Sequence, residues 1–218
     1  MHEINLGGLL SGNMVSVLVG GSVDKSNVMQ TNRLEAFSDC VMSIIITVML
    51  LEIHVPRDAP TLAGLRPLVP ALLSYVLSFT YLGIYWNNHH HMFQVTERVT
   101  GGVLWANLHL LFWLSLIPLV TEWMGANHFA PTPTALYGVV LFLAAMAYYI
   151  LVRAILAAPS GNPVLAAAIG RDRKGKISPL IYLAAIPFSY ISPWIANGLY
   201  VLVALIWLVP DRRIERVV

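Results

Sequence analysis

Six stretches of this 218-residue chain are apolar for about the length a helix needs to cross a bilayer, at roughly 34–55, 68–90, 103–124, 134–156, 177–192 and 193–209. Some 20 apolar residues in a helix span about 30 Å of hydrocarbon. A segment in lipid must satisfy its backbone polar groups internally, so runs of this length read as helix and not as isolated strand. The expected fold is therefore all-α, a polytopic membrane protein of six transmembrane helices per subunit. Composition agrees, with 57% hydrophobic and only 11% charged residues, where a soluble domain carries about 25% charged residues. The fifth run is short and meets the sixth at Ser192-Pro193. Proline lacks an N–H and suits the first turn of a helix, so a tight helical hairpin is expected there. Cys40 is the one cysteine, which excludes an intrachain disulfide and a thiolate metal cluster.

With six spans both termini share one side. That side then holds Lys25, Arg33, Arg98, Arg153, Arg171, Arg173, Lys174, Lys176, Arg212, Arg213 and Arg216, against Arg57 and Arg66 opposite. The positive-inside rule places both termini in the cytoplasm, and a multi-pass protein of the plasma membrane is expected. The organisation expected is a flexible cytoplasmic tail at 1–32, a six-helix transmembrane domain at 33–210 and a basic cytoplasmic tail at 211–218. Ala157 to Gly175, with Pro159, Gly161, Pro163 and the cluster RDRKGK, reads as the one substantial cytoplasmic loop. Its charge is first a topology signal and secondarily a surface for anionic headgroups.

The first run, RLEAFSDCVMSIIITVMLLEIHVP at 33–56, carries charges at both ends of an apolar helix. At 100° per residue, Phe37, Val41, Ile44, Val48, Leu51 and Val55 form one stripe, with Cys40 and Thr47 flanking it. Asp39 falls on the far side with Ser43, Ile46 and Leu50. Periodicity alone leaves the stripe open to lipid, to a helix seam or to a hydrophobic constriction that gates a pore. Asp39 lies about 9 Å along the axis from Arg33, deeper than a helix cap requires. Charges near hydrocarbon need partners within the protein.

Elsewhere the polar residues are sparse. His89, His90 and His91 are adjacent and diverge by about 100° each on a helix, so they cannot converge on one ion. No metal site and no cofactor is expected. Glu52 and His54 close the first run before Pro56, as interfacial residues or, for Glu52, as an acidic ring at an outer mouth. A secondary transporter using Asp39 and the histidines as a proton relay is one alternative. It lacks an inverted repeat or matched broken helices. An intramembrane metalloenzyme on His89, His90, His109 and Glu122 is another, without convincing ligand spacing.

Arg33, Phe37, Ser38 and Asp39 spell R-x-x-x-F-S-D at the head of the first helix. WNNHHHMF follows at 86–93, then Trp105, Asn107, LSLIP at 114–118, TALYG at 134–138 and WLVPDRR at 207–213. This ordered set resembles the transmembrane protein 175 family, lysosomal potassium channels and their prokaryotic relatives. The resemblance implies a passive, potassium-favouring cation channel without enzymatic chemistry, its pore lined by the first helices. No TVGYG-like filter is present, in keeping with that family. Ile44 falls at the family's isoleucine constriction, Val48 and Leu51 on the next pore-facing layers, and Thr47 where a hydroxyl assists selection. Relatives often carry leucine at Val48. A single six-helix unit implies a homotetramer, with K+ as the permeant ion. The resemblance further implies a polar network of Arg33 and Asp39 with His89, His90 and Asn107. The residue after the paired histidines is often arginine in relatives and is His91 here.

Overall fold

The computed structural model describes residues 25–56, 60–94, 96, 98–158 and 173–208. Among them every regular element is helical: α1 (Lys25–Leu51), a 3-10 turn (Leu62–Leu68), α2 (Val69–Gln94), α3 (Gly101–Ser115), α4 (Ile117–Ala126), α5 (Pro131–Leu156), α6 (Arg173–Ile191) and α7 (Pro193–Leu208). The third apolar run is broken. Pro118 has no N–H to continue the helix and crowds the carbonyl one turn back. Leu116 closes α3 through bonds to the Trp113 and Leu114 carbonyls, and α4 restarts with Pro118 in its first turn.

Counting α3–α4 as one span, four segments are long and apolar enough to cross a membrane: 31–51, 62–94, 101–126 and 131–156. Helix α7 is apolar but has 16 residues, about 24 Å at 1.5 Å each. It pairs with α6 as the hairpin expected from Ser192-Pro193. Ser192 alone joins the two helices, its N–H bonding the Phe188 carbonyl at 2.8 Å. At the open end Trp207 Nε1 donates to Ser178 Oγ at 2.8 Å, so the two helices run antiparallel.

Helix ends differ from hydropathy in two places. Helix α1 starts at Lys25, within the stretch expected as tail, and α6 starts at Arg173, so Lys174 and Lys176 sit on its first turns and not in a loop. Hydropathy tracks the lipid thickness, whereas a helix can continue past its apolar residues into the headgroup layer, in α6 even through Gly175. Residues 1–24 and 209–218, and most of the expected loop at 157–175, lie outside the described residues.

The core is a layer of buried aromatic and aliphatic side chains where α2, α4, α5, α6 and α7 meet. Tyr81, Tyr137, Tyr182 and Tyr200 pack on one another there. In lipid their hydroxyls need protein partners. Tyr81 donates to the Tyr200 carbonyl at 2.6 Å and Tyr200 to the Thr134 carbonyl at 3.1 Å. Ser78 bridges Thr121 at 2.7 Å and Tyr137 at 3.0 Å. Gly125 and Gly138 allow the closest approaches: a Cβ on Gly125 would sit 2.7 Å from the Ala71 Cα, and one on Gly138 2.9 Å from the Tyr200 ring. Against this block α1 lays one face, packing on α2, α3 and α4.

Candidate functional site: the first helix and its anchors

Leu34, Ser38, Met42, Ile45 and Met49, spaced by four and three, form the buried face of α1. That face is about 100° round from the stripe read in the sequence. Phe37, Ile44, Val48 and Leu51 are consequently left uncovered by their own chain, Ile44 at 57% and Leu51 at 70% exposure. Beside them Thr47 donates its hydroxyl to the Ser43 carbonyl at 2.9 Å, and Ser43 donates to the Asp39 carbonyl at 2.7 Å. These bonds satisfy both hydroxyl protons within the helix and leave the Thr47 oxygen with a lone pair to offer.

The polar residues at the head of α1 divide into two groups. The inner group is fully buried. Asn107 on α3 donates Nδ2–H to Ser38 Oγ at 2.9 Å and accepts from His89 Nε2 of α2 at 2.8 Å, while Ser38 donates to the Leu34 carbonyl at 2.9 Å. One amide thus ties three helices together. His89 Nδ1 is buried without a hydrogen-bond partner among the described residues and lies against the Phe93 ring, 4.5 Å between centroids.

The outer group joins α1 and α2 alone. Trp86 Nε1 donates to Asp39 Oδ1 at 3.0 Å, and His90 Nδ1 meets Glu35 Oε1 at 2.6 Å. Gln94 Nε2 reaches His90 Nε2 at 2.7 Å.

The arrangement revises the expected network. Ser38, His89 and Asn107 are brought together, but the structure records no bond between Arg33 and Asp39. Six helical residues turn the chain through 600°, which leaves the two side chains 120° apart. Arg33 is exposed, and Phe37 stands half-exposed on the stripe. Asp39 takes a neutral indole donor, and His90 pairs with Glu35. Glu35, Trp86 and Gln94 have no place in the network expected from the sequence, although Glu35/Asp39 and Trp86/His90/Gln94 repeat at a spacing of four that antiparallel helices can match.

At the other end Glu52 follows the last residue of α1 and is exposed. It lines a cleft of about 180 Å³ with His54, Tyr75, Glu122 and His128. His54 Nδ1 bonds the Glu52 carbonyl at 2.8 Å. His109 accepts from Trp113 Nε1 at 2.9 Å on the outer side of α3. His89, His90, His109 and Glu122 are therefore not brought together. Among the described residues no three His, Cys, Asp or Glu side chains converge as a metal site would require.

The model of the endosomal/lysosomal potassium channel TMEM175 family matches residues 33–118, from the head of α1 to the start of α4. A potassium channel of Chryseobacterium sp. (strain P1-3) is 53% identical over 188 residues, 86% of this chain and 97% of that protein. The chain belongs to the TMEM175 family. A crystal structure of a lysosomal potassium-selective channel TMEM175 homolog from Chamaesiphon minutus superposes with a TM-score of 0.71 at 26% identity, covering 83% of this chain and 97% of the other. More distantly, an endosomal/lysosomal proton channel TMEM175 of Danio rerio is 27% identical over 135 residues, 60% of this chain and 25% of that longer protein. The all-α membrane fold and the ion-channel family of this protein thus rest on TMEM175 relatives that cover most of its length.

Proposed function

We propose that the protein is a potassium-favouring cation channel of the plasma membrane, with both termini cytoplasmic, conducting passively through a pore lined by α1 of four identical subunits. The observation that carries this reading is the stripe of α1 uncovered by its own chain while the adjoining face is fastened by directional hydrogen bonds. A single copy of α1 cannot enclose a pore, and closed cyclic symmetry is the general way to build one on an axis. Ile44, Val48 and Leu51 would form successive apolar rings that hold the constriction, with the Thr47 hydroxyl beside them. Apolar rings favour the ion that loses hydration water at lower cost, which is K+ over Na+. The basic residues flanking the spans support the orientation. The names of the bacterial relatives point to potassium, and those of the animal relatives make proton conduction the arm to test beside it.

Reversal potentials of the reconstituted protein under a potassium/sodium gradient, repeated under a pH gradient, test the reading. Current reversing toward the potassium potential, with Ile44→Asn raising conductance and eroding the preference, is the expected result. Reversal tracking the pH gradient would reassign the permeant ion to H+. Saturable uptake driven by a pH gradient, with no channel current in either protein, would move the reading to a proton-coupled transporter relaying through Asp39 and the histidines.

A further inference from the structure

Two contacts between α1 and α2 share one geometry. Glu35 and Asp39 are one turn apart on α1, and Trp86 and His90 are one turn apart on α2. The helices run antiparallel, so His90 faces Glu35 at 2.6 Å while Trp86 faces Asp39 at 3.0 Å. The two rings stack on each other, 5.8 Å between centroids and 14° from parallel. Neither rung can shift without disturbing the other. Gln94, one more turn along α2, donates its amide to His90 Nε2 at 2.7 Å. With that nitrogen accepting, Nδ1 is the N–H that donates to the Glu35 carboxylate.

Besides the directional Asn107–Ser38 bond at the same end of α1, the helix is held farther along by apolar contacts. Met42, Ile45 and Met49 are buried apolar side chains, and apolar burial has no directional preference. Hydrogen bonds weaken steeply when misaligned. Nine residues separate Glu35 from Ile44 on one continuous helix, about 13 Å along its axis. A rotation of α1 released at Glu35, as far as the Asn107–Ser38 bond lets it turn, is carried along the same helix to the uncovered stripe.

We propose that Glu35 and His90, backed by Gln94, are positioning residues that fix the rotation of α1 and so set the aperture of the constriction. The aperture rests on reading α1 as the pore helix; the rotation does not. Two readouts separate them. Open probability of the reconstituted full chain reports the aperture. The modification rate of Cys40 by a charged methanethiosulfonate reports the pose of α1 without needing current, because Cys40 is the one cysteine, is exposed on its own chain and lies 140° round the helix from Glu35.

Glu35→Ala and His90→Ala are each expected to shift open probability and Cys40 labelling by about ten- to a hundredfold, the worth of one hydrogen bond to a charged group. The double variant should go no further than either single one. Glu35→Gln, whose carbonyl still accepts from His90, should stay near the wild type, and the reversal potential should not move in any of them. Wild-type gating and labelling in both alanine variants overturns the proposal, and so do independent, multiplying effects in the double variant. If the wild type passes no current, the pore reading fails, and the labelling rates alone decide whether these residues hold α1.

Discussion

Asn107→Leu is the sharpest probe of how α1 is held. Asn107 is fully buried and makes two bonds between helices, to Ser38 Oγ at 2.9 Å and from His89 Nε2 at 2.8 Å. Leucine is similar in bulk and makes neither. Loss of the two bonds costs about 1–3 kcal/mol, at the roughly 0.6–1.5 kcal/mol each that polar contacts contribute in membranes and in water. His89 suffers further. Its Nδ1 already has no partner among the described residues, and its Nε2–H would now lose its acceptor, adding roughly 1–3 kcal/mol. The expected total is about 4 kcal/mol, or on the order of 10 °C in the midpoint of thermal unfolding for a chain of this size. Ser38 retains its bond to the Leu34 carbonyl, so the penalty falls mainly on His89. Adding His89→Phe should therefore recover part of the loss, since the ring keeps its packing on Phe93 and the stranded donor is gone. Thermal unfolding in detergent, read by fluorescence-detected size exclusion, measures all three variants. A single variant within about 1 kcal/mol of the wild type, or a double variant lower than the single, would refute the reasoning.

Glycine substitutions test the two close seams. Gly125→Ala places a methyl 2.7 Å from the Ala71 backbone and Gly138→Ala one 2.9 Å from the Tyr200 ring, so each should destabilise by about 1–3 kcal/mol in the same assay. Gly198→Ala meets nothing within 4 Å and serves as the neutral control. Asp39→Ala removes the acceptor of Trp86 and should lower the yield of assembled protein through the loss of about 1.5–3 kcal/mol, while Asp39→Asn, which keeps a carbonyl acceptor, restores most of it. Normal assembly of Asp39→Ala with an altered reversal potential would contradict that assignment and give Asp39 a direct part in permeation.

The chain by itself determined its solvent. Long apolar runs with few charges fit only a bilayer, and within a bilayer backbone satisfaction leads to helix. It determined the stripe from Phe37 to Leu51 as well, because a period of 3.6 is written in the spacing. Ser192-Pro193 likewise announced the α6–α7 hairpin. Hydropathy passed over the break at Leu116, where Pro118 interrupts backbone bonds without lowering the apolar content. The tertiary structure alone decided which face of α1 is buried, since lipid, a neighbouring helix and a pore can all accept the same apolar side chains. It also decided the partners of the charges. Arg33 and Asp39 are close in sequence and 120° apart on the helix, whereas Glu35 and His90 are 55 residues apart and 2.6 Å apart in space. A partner across two helices depends on register, and register is set by packing that no single segment encodes.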